Sequence, residues 1–565
     1  MFENLSTRQK EIVFDCNGRF IVRACPGSGK TYTVAARLSR LLSSWKKVNG
    51  GIATISFTNA ACSEIQRKMK EDFSFNSQIT HPHFIGTIDS FINKYIFLPF
   101  GHLIMGCDIR PELVGGNISI WKGHNFTQDQ FTNVRFLIND SLEIINPRNG
   151  ANKLSTDELR KMKILFNRKG FATQDDSEFY SVKLLQKFPI ICKALIKRFP
   201  TIMIDEAQDT NELQMQIINT LVENGLNELM LVGDPDQAIF EWNDAKPELF
   251  LQKCGDWKEI KLNENRRSSQ KICNFFFKIS SLPEPSEAIN EEVKELNFNP
   301  EIIEYSANDI TASIDYFAQL CVQQNVDVTA DKIQILCRSY NMVEKIIGND
   351  TTNNLVPWQD NKLFCRDIAK GKFLYDEGKI HLGIKSLELG LLKSIGNLNV
   401  VSITDKNNIL KEFDPINWRV HLYELMNVLP KTNLNLSEWI NEANSSIIKF
   451  NKKLKLDLSI KRDSRGFGYS TLRFIDIFKR DRKFMINNIS VGTVHSVKGE
   501  TIDAVLTFWA TRGANNMNYS RILCEDIQSC EEKRIIYVAL TRAKKLLVIA
   551  VPEGQAEHWR NKFIN

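Results

Sequence analysis

The sequence predicts an α/β protein with two parallel-sheet cores, each interrupted by a largely helical insertion. Three observations carry that expectation: a small-residue loop between an apolar run and helix-like sequence, a paired carboxylate closing a second apolar run, and a further set of strand-like runs in the C-terminal half. The loop is Ala24-Cys25-Pro26-Gly27-Ser28-Gly29-Lys30-Thr31, between Phe20-Ile21-Val22 and helix-like sequence from Tyr32 to Leu42. In that context backbone N–H groups and a helix N-terminus cradle phosphate oxygens. Lys30 is expected to reach the β- and γ-phosphates, and the Thr31 hydroxyl to ligate Mg²⁺. Ala24 replaces the usual first glycine of such loops, at a position that needs little bulk. The carboxylate motif, Ile204-Asp205-Glu206-Ala207-Gln208-Asp209, follows Thr201-Ile202-Met203 and falls at a strand's C-terminal edge. Asp205 suits the Mg²⁺ shell, and Glu206 suits orienting and deprotonating an attacking water. Together the two motifs predict a P-loop NTPase.

The remaining elements follow in order. Runs near Ile52–Phe57, Thr201–Ile204 and Leu229–Val232 predict a first core over residues 1–97 and 191–276, split by an insertion over 98–190. A second core is expected over 277–375 and 487–565, from Lys332–Leu336, Ile489–Thr493 and Lys545–Val551. Its insertion, 376–486, opens with amphipathic sequence around Leu387–Leu392, and nucleotide is expected in the cleft between the cores. A chain of 565 residues is too long for one core. Its composition, 43% hydrophobic and 25% charged, is that of an ordinary globular protein. A net charge of +6 permits a nucleic-acid partner without requiring one. The start Met1-Phe2-Glu3-Asn4-Leu5 lacks the regions of a signal peptide, and no apolar run is long enough to span a membrane, so a cytoplasmic protein without membrane association is expected. Twelve cysteines without a C-x-x-C pair predict reduced, mostly buried thiols.

Further segments carry chemistry. Gln9, in Leu5-Ser6-Thr7-Arg8-Gln9-Lys10, is either a surface glutamine or an adenine-edge partner through its amide. Ile55-Ser56-Phe57-Thr58-Asn59-Ala60-Ala61 and Gly86-Thr87-Ile88-Asp89-Ser90-Phe91 put hydroxyls, the first also an aromatic, at strand ends. Gly233-Asp234-Pro235-Asp236-Gln237-Ala238-Ile239-Phe240-Glu241-Trp242 combines a polar phosphate sensor with two aromatics. Asn265-Arg266-Arg267-Ser268, Thr493-Val494-His495-Ser496-Val497-Lys498-Gly499-Glu500 and Tyr537-Val538-Ala539-Leu540-Thr541-Arg542-Ala543 complete the series. In this order the segments resemble the motifs of the UvrD/Rep/PcrA family of superfamily 1 helicases. The resemblance covers both cores and fades in the insertions.

What the resemblance implies is two RecA-like cores with 1B and 2B insertions, ATP and Mg²⁺ as cofactors, and ATP-driven 3′→5′ movement on single-stranded DNA and its junctions with duplex. By motif position, Gln9 would recognise adenine, and Ala24, Cys25, Pro26, Gly27, Ser28, Gly29, Lys30 and Thr31 would hold the phosphates. Gln237 would sense the γ-phosphate, with Arg267 and Arg542 projecting toward it from the second-core side. An arginine that completes such a site contributes roughly 10³–10⁵ in rate. Phe57, Phe240 and Trp242 are stacking platforms for bases or, alternatively, core residues. Thr58, Thr87, Thr493 and His495 would touch the strand's backbone, which carries little sequence information. Three positions depart from the family pattern: Asn243 for arginine, Asp89 for histidine, and Lys498-Gly499-Glu500-Thr501 for Lys-Gly-Leu-Glu. Either Glu500 or Thr501 would then approach the ribose.

Basic residues outnumber acids from Lys449 to Lys483, which suits either phosphate contacts to a duplex or a solvated basic face. The compact build also resembles the stand-alone helicases of Gabija-type phage defence, which implies an OLD-type partner nuclease. General repair or replication restart is the alternative pathway. With only a short tail after Arg542, any DNA cutting is expected from a partner. A second class of function, a DNA-stimulated ATPase that senses ends and regulates a partner, fits the same motifs.

Overall fold

Alternation along the apolar runs builds two six-stranded sheets, each buried on both faces. A computed structural model describes residues 2–47, 49–77, 79–113, 118–119, 134–144, 156–239, 245–306, 309–347, 357–359, 361–398, 401–412, 414–450, 456–462, 468–478, 484–510 and 522–563. The first sheet contains β1 (Arg19–Ala24), β2 (Ile52–Ser56), β3 (Phe84–Thr87), β4 (Thr201–Ile204), β5 (Glu228–Gly233) and β6 (Lys258–Leu262), in the order β6-β1-β5-β4-β2-β3. Every pairing is parallel. Ile21, Ile202, Ile204, Leu229 and Leu231 join one buried cluster, while Phe20, Val22, Met203, Met230 and Val232 join another. Successive side chains thus feed opposite helix layers, as a strand covered on both faces requires. Because the sheet is parallel, the turns after β1 to β5 share one edge.

The second sheet contains β7 (Glu301–Tyr305), β8 (Ile333–Cys337), β9 (Phe484–Ile486), β10 (Ile489–Thr493), β11 (Ile502–Phe508) and β12 (Ala543–Pro552), in the order β7-β12-β11-β8-β10-β9. It is parallel except at one edge, where β9 and β10 form a hairpin. Both turn residues there, Asn487 and Asn488, have positive φ (48° and 63°), the combination that a tight two-residue hairpin turn demands. Leu336, Val505, Leu547 and Ile549 face one cluster, and Ile335, Leu506, Leu546 and Val548 the other.

Packing changes sheets early. The helix Gln270–Phe277 sends Ile272, Cys273, Phe275 and Phe276 into the second sheet's core, so the crossing segment is the short stretch between Leu262 and Gln270. The second insertion likewise starts its own core before residue 376. Helix Phe364–Asp376 packs on Ile380–Gly396, and Trp358, Cys365, Ile368 and Phe373 share a cluster with Leu387, Trp418, Trp439 and Phe474. A Cβ at Gly371 would lie 2.8 Å from the Gly383 carbonyl, and one at Gly383 would lie 2.8 Å from that of Gly371, so the two helices meet backbone to backbone. In its described part the first insertion is mostly helical, as the sequence suggests, with short strands added. It holds the antiparallel pair Val134–Phe136 and Leu142–Ile144, a short parallel pair, and helices Thr156–Arg168 and Gln174–Lys187.

All the cysteines are free and most are buried. Among the described residues no helix is long and apolar enough to cross a membrane.

Candidate nucleotide cleft and nucleic-acid face

The turn after β1 has the geometry of an anion cradle. Gly27 and Gly29 have φ of 71° and 77°, which a residue with Cβ adopts only at a cost. Space forbids a side chain at Gly27 as well, since a Cβ there would approach the Arg267 Cβ and the Asn265 Oδ1 to 2.8 Å. Helix Lys30–Ser43 starts directly after Gly29, so its unpaired N–H groups face the turn. The loop is braced from outside: Asn265 Nδ2 donates to the Pro26 carbonyl (2.8 Å), Arg266 N to that of Gly27 (2.9 Å), and Cys25 N to that of Leu262 (2.9 Å). Ser28 Oγ donates to the Cys25 carbonyl (2.8 Å). Buried Cys25 has its thiol pushed up to about 12 by burial, which keeps it protonated.

Gln9 is fully buried. Its Nε2 donates to the Ser28 carbonyl (3.3 Å) and to Thr33 Oγ1 (3.2 Å), and its Oε1 accepts from Ser6 N (3.1 Å) and Arg266 Nη2 (3.3 Å). Its amide therefore fastens the phosphate loop to the N-terminal helix, neither lying on the surface nor presenting a free edge to a base.

The carboxylates close over the loop from β4. Thr31 Oγ1 donates to Asp205 Oδ2 (3.1 Å), which puts the hydroxyl and carboxylate that suit a divalent cation side by side. Burial, reinforced by the Glu206 charge and opposed by Lys30, pushes Asp205 up to about 7. Glu206 has φ 55° and ψ 40°, a left-handed conformation that costs a non-glycine residue about 1–2 kcal/mol. Such strain at a strand end holds the carboxylate toward the cleft. Burial alone would raise Glu206, but Lys30, Lys498, Gln208 and Arg542 outweigh it and hold the carboxyl below its ordinary value. Gln208 Nε2 donates to Glu206 Oε2 (2.6 Å), and Asp234 N donates to Gln208 Oε1 (3.1 Å), tying β4 to β5.

The second sheet answers with cations. Buried Arg542 donates through Nη2 to Gln237 Oε1 (2.9 Å), through Nε to the Val538 carbonyl (3.0 Å), and through Nη1 to the Glu500 carbonyl (3.5 Å). Gln237 in turn donates to Asp234 Oδ2 (2.6 Å). Burial lowers Arg542 to about 10, still cationic at neutral pH. Arg267 donates to Thr501 Oγ1 (2.9 Å) and the carbonyls of Thr541 (2.8 Å) and Gly499 (3.4 Å); burial and the Arg542 charge lower its pKa. Two guanidinium groups thus share one region. Thr501, not the exposed Glu500 side chain, makes the hydrogen bond there.

Two further contacts join the sheets, and a third orders the segment between them. Lys498 Nζ pairs with buried Asp209 Oδ2 at 2.6 Å. Arg534 Nε donates to the Ala238 carbonyl (2.6 Å). Asn265 Oδ1 accepts from the backbone of both Arg267 and Ser268 (2.8 Å each), so one side chain sets the phosphate loop and the arginine after it. The sequence signal for Asn265 and Lys498 was their place inside ordered motifs; Arg534 had none.

On the side where the sequence places the nucleic-acid contacts, β2 and β3 put Ser56 and Thr87 in register. Thr58 and Thr87 each cap a helix, accepting from Ala61 N (3.1 Å) and Ser90 N (3.2 Å), which leaves each hydroxyl hydrogen for another acceptor. Phe57 is half-buried. Thr493 ends β10 and is buried, and the His495 ring hydrogen-bonds to the Ile239 backbone, where burial and then Arg338 lower its pKa and keep it neutral. Arg338 grips Glu532 with two hydrogen bonds (2.7 and 2.8 Å) beside this histidine. Phe240, Trp242 and Asn243 lie outside the described residues, as do Lys452, Lys453, Lys455, Arg465, Lys479, Arg480, Arg482 and Lys483 of the basic run.

A glycine loop, a hydroxyl–carboxylate pair and arginines from the side of the second sheet thus lie together between the two sheets. The UvrD/REP helicase N-terminal domain model matches residues 5–98 and 125–258, and the UvrD-like helicase C-terminal domain model matches 424–554. The chain belongs to the UvrD-like helicase family. It is 23% identical to a probable DNA helicase II homolog of Mycoplasma capricolum over 99% of this chain and 86% of that protein. It is 25% identical to the ATP-dependent DNA helicase Rep of Buchnera aphidicola (99% and 95% covered) and 24% identical to the Gabija protein GajB of Bacillus cereus (96% and 94% covered).

Proposed function

We propose that this protein is an ATP-dependent DNA helicase that moves 3′→5′ along single-stranded DNA, with ATP hydrolysis in the cleft between two RecA-like cores driving the movement. The reading rests most on one observation: Arg542, on the second sheet, reaches Gln237 on the first at 2.9 Å. A cleft whose cations and carboxylates come from different cores is complete only when the cores are together, so hydrolysis depends on closure.

The loop residues 24–31 hold the triphosphate, and Lys30 neutralises its terminal phosphates. Thr31 and Asp205 would hold Mg²⁺, which would stabilise charge on the phosphate oxygens. Glu206, kept ionised by the surrounding cations, is the general base for water. Arg267 and Arg542 stabilise charge on the transferring phosphoryl group. Gln237, bonded to Asp234 and Arg542, carries the state of the cleft to the adjoining strand-binding segment. Phe57, Phe240 and Trp242 stack on bases, and Thr58, Thr87, Thr493 and His495 hold the backbone. Gln9 recognises adenine only after giving up part of its present bonding. The insertions 98–190 and 376–486 act as the 1B and 2B domains and meet the duplex at a junction. The proposed compartment is the cytoplasm.

Steady-state ATPase with and without single-stranded DNA, with Lys30→Ala as control, is the first test. Stimulation that the variant lacks supports the motor, and strand displacement from substrates with 3′ or 5′ tails then sets polarity. Lysine-dependent turnover indifferent to DNA removes the motor reading.

Likeness to the Gabija protein over nearly the whole of both chains favours a second reading. In it the protein is a DNA-stimulated ATPase that senses ends and regulates an OLD-type nuclease without processive unwinding. Directional duplex displacement by the purified chain excludes it.

A further inference from the structure

Beneath the Thr87 turn lies a polar cluster that the proposed reaction does not use. Asp89 follows Thr87 in the short helix Ile88–Ile92 and faces Glu178 of helix Gln174–Lys187 and Gln214 of helix Glu212–Glu223. Gln214 Nε2 donates to both carboxyl groups, to Asp89 Oδ1 at 3.2 Å and to Glu178 Oε1 at 2.9 Å. Asn211 Nδ2 donates to the other Glu178 oxygen, Oε2, at 2.7 Å. Two carboxyl groups on one amide nitrogen lie within reach of each other, and Glu178 is only 4% exposed. Behind them an apolar cavity of about 20 Å³ is lined by Ile55, Ile88, Phe91 and Ile92, with Gln214 at its wall. No polar surface there compensates a second negative charge.

We infer that Asp89 and Glu178 share one proton, and that this carboxyl–carboxylate pair positions the Thr87–Ser90 turn for single-stranded DNA. Two ionised carboxylates cannot occupy such a site together. A single proton turns their repulsion into a hydrogen bond that ties the turn to helices 174–187 and 212–223. Asp89 stands where the family pattern carries histidine. Glu178 is a positioning residue; the contact to DNA is made by the turn, and the inference rests on the nucleic-acid role proposed above for Thr87.

Surrounding charges agree. Burial, then Asp89, raises Glu178 to about 8, and burial raises Asp89 against its hydrogen bonds with Glu178 and Gln214. Asp175, on the same helix as Glu178, is also raised, by burial and Asp176. The two cations that act on Asp175 are themselves paired, Lys163 with Asp176 (3.1 Å) and Arg135 with Glu143 (2.7 Å). Gln214 of helix 212–223 and Asn211 at its N-cap, both neutral, donate to the pair. Free carboxyls ionise near pH 4–4.5, so the folded chain holds an extra proton from there to about pH 8. Stability falls as pH rises through that window, and above it the pair is doubly charged and the turn loosens.

The test measures binding of a fluorescent oligodeoxyadenylate, which has no group titrating between pH 6 and 9, alongside Tm over the same range. Wild type should lose roughly tenfold in affinity from pH 7 to pH 9, with Tm falling in parallel, as loss of a hydrogen bond worth about a pKa unit implies. Glu178→Gln donates a permanent hydrogen bond to Asp89; it should bind as wild type does at pH 7 and flatten both profiles. Glu178→Ala should weaken binding at every pH. A Glu178→Gln protein that keeps the wild-type pH profiles overturns the shared proton. Flattened Tm with unchanged DNA binding overturns the positioning role. If DNA binds nowhere in the range while Lys30-dependent ATPase persists, the nucleic-acid reading itself fails, and Tm still reports on the proton.

Discussion

The two sheets meet the cleft by opposite edges. The first presents the C-terminal ends of its strands, where turns run into helix N-termini such as Lys30. The second presents the N-terminal edges of β11 and β12, with Thr501 just before one and Arg542 just before the other. Arg542 also follows helix Glu531–Leu540 and donates to the Val538 carbonyl in its last turn. A helix N-terminus favours anions and a C-terminus favours cations. One sheet therefore offers a helix N-terminus to the cleft and the other an arginine at a helix C-terminus, from the same backbone physics used in opposite senses. The residues proposed for DNA extend the contrast. On the first sheet Thr58 and Thr87 lie along the same edge as the phosphate loop, whereas on the second Thr493 ends β10 at the edge away from Arg542. Thr493 and Arg542 are thus separated along the strand direction by roughly 16 Å, the length of a five-residue strand.

Breaking each side separately tests this division. Lys30→Ala, which removes the cation of the cradle, should reduce phosphate release to background while the fold, read by circular dichroism, persists. Arg542→Ala removes the answering charge and should cost roughly 10³-fold or more in kcat, with ATP binding less affected. Glu206→Gln should retain ATP and Mg²⁺ binding in equilibrium titration yet hydrolyse roughly 10²–10⁴-fold more slowly; normal turnover would remove its assignment as base. Lys498→Met leaves Asp209 buried without its partner and should destabilise the joined cores by about 3 kcal/mol in denaturant unfolding. Pairing it with Asp209→Asn should restore part of that loss, since the uncompensated charge goes too. Smallest of all, Thr87→Val keeps the turn's size but removes its hydroxyl. It should weaken oligonucleotide binding a few-fold and leave basal ATPase unchanged.

Much of the first sheet was legible because its signals are local. Phe20-Ile21-Val22 before a glycine loop, and Thr201-Ile202-Met203-Ile204 before two carboxylates, each state a strand, its end and its chemistry within ten residues. The packing frontier was less legible. Helices 270–277 and 364–376 are amphipathic in any setting, and which core receives Ile272 or Ile368 depends on surfaces far away in sequence. Gln9 shows the limit for a single residue: its amide has donors and acceptors to offer, but only the folded loop decides that Ser28, Thr33, Ser6 and Arg266 take them.

By itself the sequence determined the class of chemistry, because phosphate cradles need glycine at positive φ, a lysine and a hydroxyl at fixed short spacing. It also determined the order of motifs that marks the family. Tertiary structure alone decided how side chains 289 and 305 residues apart, Asp209 with Lys498 and Gln237 with Arg542, came to share one cleft. It alone put Glu178 against Asp89 and raised it to about 8. Desolvation and Coulomb interactions depend on distance and burial in space, and neither is written in the spacing of residues along a chain.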